Sequence, residues 1–200
     1  MVQLVETVPN FSEGRDGLFV QEAVAVFIEA GAEVLDASLD PDHHRSVITA
    51  IGSPDRVVEG SVRVAALAQA RIDMRGHSGV HPRIGALDVL PFVPLVGITD
   101  VEVASLAQEA ARRISDQGVP VVLYGKAAPV GAPALSSLRK GGFEGRVRTP
   151  PIGPPADFEG RANDGSVAHS HAHPTAGTTC IGVRKVLLAW NVDVMGIPHA

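Results

Sequence analysis

A chain of 200 residues with 45% hydrophobic and 20% charged residues can bury a sizeable core and does not have a disordered composition. Its net charge of −5 argues against nucleic acid as a partner, because duplex binding usually needs a basic face to displace counterions. The single cysteine, Cys180, excludes an intrachain disulfide and points to a reducing cytoplasmic home, while no apolar run approaches the roughly 18 residues of a membrane span.

The opening MVQLVETVPN lacks a basic region followed by an apolar block, so no signal peptide is expected. Residues 2–8 alternate as a strand, PNFSEGRD is a polar turn, and Val20, Ala23, Val24, Phe27 and Ile28 recur at helical spacing before Gly31. AEVLDASL and RSVITAIG are two strands parted by the turn PDHH. Ser53-Pro54 then starts an alanine-rich helix through Ala70. ALDVLPFVPL reads as a fourth strand, and Thr99 with Glu102 forms a capping box for a helix carrying Val103, Leu106, Ala107, Ala110 and Ile114. VPVVLYG is a fifth strand, LSSLRKGG a short helix stopped by glycine, and RKVLLAWNVDV a sixth strand. Between them, about 145–180 shows no period and reads as one long loop. The order β-α-β-β-α-β followed by further α-β elements predicts an α+β fold. Specifically, it predicts a ferredoxin-like mixed sheet with helices packed on one face, extended by extra elements, in one domain over 1–200.

The stretch GHSGVHPRIG carries the chemistry. His77 and His81 lie four apart, a spacing that on a helix can grip a metal, but Gly79 lies between them and Pro82 disfavours helical geometry at His81. Ser78 stands where a zinc protease would have glutamate, so no metal is expected. What is left is a flexed loop presenting imidazoles beside Arg83, with Asp73 and Asp88 in the same stretch. Histidine suits acid-base work near neutral pH, and the arginine fork suits carboxylates or phosphates. The alternative is that His81 and Arg83 tie down backbone carbonyls in a long connection.

RIDMRGHSGVHPRIGALDVLPFVP resembles the signature of the glutamate formimidoyltransferases, IDM-x-x-H-x-G-x-HPR-x-GA-x-D-V-x-PF-x-P. LVETVPNFSEGRD resembles that family's opening, DPDHHRSVITAIG its strand-turn-strand segment, and HPTAGTTCIGVRKVLLAWNV its closing loop and strand. The resemblance spans most of residues 2–196. It implies formimino transfer from N-formimino-L-glutamate to tetrahydrofolate as co-substrate, with His81 of HPR catalytic and His77 in a supporting or structural role. The chemistry needs such a group: a proton must leave the attacking folate nitrogen and another must reach the departing glutamate nitrogen, and one imidazole can do both in turn.

Other segments are read alongside it. Arg45 could hold a substrate carboxylate, with Asp36 or Asp42 orienting an imidazole, or residues 40–45 could be a solvated turn. His44 stands where the family usually has asparagine. Asn10 to Gly14 could cradle an anion at a helix start, though turn chemistry explains the same residues. The resemblance makes His173, Pro174, Thr175, Ala176 and Gly177 the folate-contacting loop, while His169 and His171 are additions upstream and Cys180 is a small packing residue. It also implies two subdomains holding folate and substrate between facing sheets, of which this chain matches the first. A second copy or a separate C-terminal partner would then complete the pocket, and an exposed apolar sheet face would mark where it packs. The alternatives are a folate-binding or regulatory module without turnover, or a transferase or hydrolase acting on a smaller amidine.

Overall fold

The computed structural model describes residues 2–187. β1 (Leu4–Thr7) and β2 (Asn10–Phe11) are two pieces of one line, parted at Pro9, which has no N–H to give a ladder. Both lie between β4 (Arg45–Gly52) and β5 (Leu87–Val96), antiparallel to each, and β3 (Glu33–Asp40) pairs antiparallel with the far side of β4. With α1 (Gly17–Glu29) and α2 (Pro54–Arg71) between them, these strands have the ferredoxin-like order, fourth beside first, then third, then second. α3 (Asp100–Ser115) leads to β6 (Val121–Gly125), and β9 (Thr179–Val183) fits parallel between β5 and β6. The mixed sheet and α+β class match the sequence reading.

Alternation decides which face is buried. β4 turns Ser46, Ile48 and Ala50 inward, and α1 meets them with Phe19, Ala23 and Phe27, a stripe at spacing four that leaves Ile28 in solvent. The Thr99–Glu102 capping box is complete at the start of α3. Ser53 stands at the N-cap of α2 without a side-chain cap bond, leaving Pro54 to set the helix start.

Two expectations need correction, and one strand was not foreseen. Helices do not keep to one face: Leu135 and Leu138 of α4 (Leu135–Leu138) pack with Val89, Val122, Tyr124 and Cys180 on the opposite side from α1–α3. The 145–180 stretch is not structureless. It takes in the end of α5 (Gly142–Val147), the antiparallel pair β7 (Gly160–Arg161) and β8 (Val167–His169), and the start of β9. TCIGV joins the sheet as a strand the sequence reading did not name; of the expected sixth strand RKVLLAWNVDV, residues 184–187 carry no strand and the rest lies outside the described residues. A parallel strand buried on both faces has no alternation to betray it.

The sheet's second face is therefore covered at the β5–β9–β6 end and uncovered over β1, β3 and β4. Leu4, Glu6, Val47, Thr49 and Ile51 are half-buried there, and Val96, opposite Leu4, is 54% exposed. Among the described residues no helix is long and apolar enough to cross a membrane.

Candidate active site

After the 3-10 turn Met74–Gly76 the segment HSGVHPR is not helical, as Gly79 and Pro82 dictate, and its two histidines part company. The His77 ring stacks on His44, with centroids 4.2 Å apart and planes 10° from parallel. His81 instead stands edge-on to His43 at 6.2 Å. The turn of residues 41–44 and this loop thus interlock through two histidine pairs. Gly79 makes the approach possible: a Cβ there would lie 2.6 Å from the His43 carbonyl oxygen and 2.8 Å from the His44 Cβ. His44 has a left-handed backbone, φ 50°, which asparagine and histidine tolerate better than most residues, so histidine can stand where the family usually has asparagine.

Hydrogen bonds fix what His77 does. Its Nδ1 accepts from Arg83 Nε at 3.0 Å, so the ring proton sits on Nε2, which donates to the His44 carbonyl at 3.1 Å. Arg83 also donates to both carboxylate oxygens of Glu144, at 3.0 and 2.7 Å, and holds Glu144 below the usual carboxylate range. The guanidinium expected to bind a ligand is committed to the protein's own carboxylate.

Arg45 and Asn10 are likewise each other's partners. Arg45 donates from Nε and Nη2 to Asn10 Oδ1 at 3.2 and 3.0 Å, and from Nη1 to Asp88 Oδ2 at 2.9 Å. Asp88 is fully buried, and its position comes from a β-bulge. Asn10 faces Val89 while Phe11 faces Leu87, so Asp88 is left without a partner in the ladder and is free to be re-aimed. One oxygen of Asp88 accepts the Ile84 N–H at 2.8 Å; the other takes Arg45 and Arg139 together. Two guanidiniums on one carboxylate leave a net positive cluster.

His81 stands against that cluster. Burial, then the charges of Arg45 and Arg139, lower its pKa to about 4, with Asp88 opposing them, so the imidazole is neutral at pH 7. Its Nε2 is buried and has no hydrogen-bond partner among the described residues. A buried ring nitrogen without a partner carries a desolvation cost that a ligand group could relieve.

The other expected residues sit apart. Asp36 lies on the outer strand opposite Thr49, and Asp42 is exposed; neither side chain is hydrogen-bonded to an imidazole. The acid that orients one is Asp40, 2.7 Å from His43 Nδ1. At the start of α1 the N–H groups of Arg15 and Asp16 are accepted by Glu13 and those of Leu18 and Phe19 by Asp16, so these four are already committed within the chain. In the turn His173–Gly177, His173 Nδ1 accepts the N–H groups of Thr175 and Ala176, at 3.3 and 3.1 Å, and the backbones of His173 and Gly177 bond reciprocally. Ala176 is buried in the helix-side core, and the Thr175 and Ala176 carbonyls bind the Met74 and Ala86 N–H groups. The turn, Pro174 included, thus fastens the base of the GHSGVHPR loop rather than joining the Arg45–Asp88–Arg139 cluster. His169 stands edge-on to His173 at 5.0 Å, and the described residues contain no group of three or more His, Cys, Asp or Glu side chains able to hold a metal. Cys180 is buried, and burial pushes its thiol well above the ordinary range.

Asp88, Arg139, His43, Asp40 and Glu144 are the contributors that sequence reasoning left without roles. Asp88 had a signal, a lone charge inside an apolar strand; Arg139 had none, because it reaches the site from 51 residues further along the chain.

The family described as formiminotransferase domain, N-terminal subdomain, matches residues 4–184. Formimidoyltransferase-cyclodeaminase of Sus scrofa is 39% identical over 209 residues, covering 98% of this chain and 35% of that protein. Glutamate formimidoyltransferase of Streptococcus pyogenes is 37% identical over 197 residues, covering 97% of this chain and 63% of that protein. The Thermoplasma acidophilum enzyme of the same name is 34% identical, with 96% and 62% covered. The chain therefore spans between about a third and two thirds of the length of these relatives. By the match over residues 4–184, the chain belongs to the formiminotransferase family, as its N-terminal subdomain.

Proposed function

We propose that this chain supplies the catalytic half-site of a glutamate formimidoyltransferase, moving a formimino group from N-formimino-L-glutamate to tetrahydrofolate. The observation that carries the reading is the buried, unpartnered Nε2 of a neutral His81 beside the Arg45–Asp88–Arg139 cluster. The reduced folate supplies the attacking amine. His81 takes the proton that this amine sheds and passes it to the glutamate nitrogen as that departs. A histidine held near pKa 4 is a weak base but a strong acid once protonated, which favours the second step. A carboxylate-bearing substrate would offset the positive cluster and bring the imidazole nearer the working pH. The second wall of the pocket is provided over the uncovered face of β1, β3 and β4 by a second copy or by a separate C-terminal subdomain. Holding two reactants in register requires such a wall.

The test is formiminoglutamate turnover and calorimetric titration with tetrahydrofolate, each run on the wild type and His81→Ala. Turnover abolished by the substitution, with folate binding kept, supports the reading. Turnover indifferent to His81 removes it. A second reading is a folate-binding module without turnover; binding with no turnover in the wild type, even with a C-terminal subdomain supplied, would select it.

A further inference from the structure

A glutamyl carboxylate at this site needs a cation whose donors are not already used. Arg45 and Arg83 do not qualify, since both are bonded to carboxylates of the chain itself. Pro82, the residue after His81, lines an open depression of about 440 Å³ together with Ser136, Ser137, Arg139 and Lys140. Ser136, Ser137 and Lys140 are exposed, and their side chains make no hydrogen bond among the described residues. Its lining contains no acidic residue, and Arg139 joins it to the Asp88 cluster.

We propose that this depression seats the α-carboxylate of the formimino donor, with Lys140 and the hydroxyls of Ser136 and Ser137 as its direct contacts and Lys140 as the specificity-determining cation. The assignment rests on the reading of His81 given above. Reach supports the donor: its α-carboxylate and its departing nitrogen are attached to one carbon, so a carboxylate seated in a depression that begins one residue from His81 and shares Arg139 with its cluster keeps the nitrogen close to the imidazole. A folate's glutamyl end is separated from its reacting amine by an aminobenzoyl group, and would fall further away. Once bound, the carboxylate would also face Arg139 and lessen the positive field on His81.

The experiment is calorimetric titration of the full chain with three probes: N-formimino-L-glutamate, tetrahydrofolate, and tetrahydropteroate, which lacks the glutamyl group. The variants are Lys140→Met, the pair Ser136→Ala with Ser137→Ala, and Lys126→Met as a control that is paired with Asp100 elsewhere on the surface. Lys140→Met is expected to weaken formiminoglutamate about tenfold or more and the double serine variant by a smaller factor, as for loss of a charge-assisted bond. Both should leave tetrahydropteroate unchanged, and Lys126→Met should change nothing. Weakening of tetrahydrofolate alone, with tetrahydropteroate unaffected, would overturn the assignment to the donor and give the subsite to the folate tail. No effect on any probe, in a wild type that binds them, would overturn the subsite while leaving the His81 reading standing. Loss of turnover dependence on His81 would instead sink that reading, whatever Lys140 does.

Discussion

Two histidine-proline turns meet at the same end of the sheet, GVHPRIG and AHPTAG, and they use the same residue oppositely. His173 gives Nδ1 to two backbone N–H groups of its own turn, and that turn holds the start of β5. His81 gives its buried Nε2 to nothing and stands against two guanidiniums sharing one carboxylate. A ring nitrogen satisfied by backbone is a fastener, whereas a buried ring nitrogen left uncommitted has capacity for a ligand. The HP dipeptide does not distinguish them; their neighbours do.

Breaking the comparison begins with the largest effect. His81→Ala should lower kcat/KM by roughly 10²–10⁴-fold, the range for a general acid-base, with little change in melting temperature. His173→Ala should do the reverse, costing about 1–3 kcal/mol of stability because the Thr175 and Ala176 N–H groups lose their acceptor. Chemical denaturation beside steady-state kinetics reads both, and a His173 variant with unaltered stability and abolished turnover would end the distinction. Gly79→Ala should follow at about 1–3 kcal/mol, since its methyl would press on the His43 carbonyl and the loop must shift.

The smallest effects sharpen the contrast by pH. His81 is held below its unfolded value of 6.5, to about 4, so its native form binds fewer protons than the unfolded chain between those values. Its contribution to stability is therefore complete above pH 6.5 and is lost as the pH falls towards 4. Melting curves across that window should fall more steeply for the wild type than for His81→Gln. Arg45→Met, which removes one cation from beside the ring, should move the acid limb of the kcat/KM profile upward. An unmoved limb would show that the cluster does not act on His81.

Periodicity and capping made the first five strands and three main helices legible: the Thr99–Glu102 box, the inward alternation of β4 and the Ser53-Pro54 start all lie in short windows. The resemblance singled out His81. Local sequence also excluded a helical metal pair, because Gly79 and Pro82 act on their own backbone. The strand Thr179–Val183 was missed because it is buried on both faces and carries no pattern. Arg45, Arg83 and Asn10 read as ligand-binding groups, but their partners within the chain could not be read, since Arg45 meets Asp88 across 43 residues and Arg83 meets Glu144 across 61. The sequence by itself determined which residues could do acid-base and carboxylate chemistry, because side-chain chemistry is local. Only the tertiary structure decided which of them already have partners, because pairing depends on chain segments far apart in sequence arriving at one bulge of one strand.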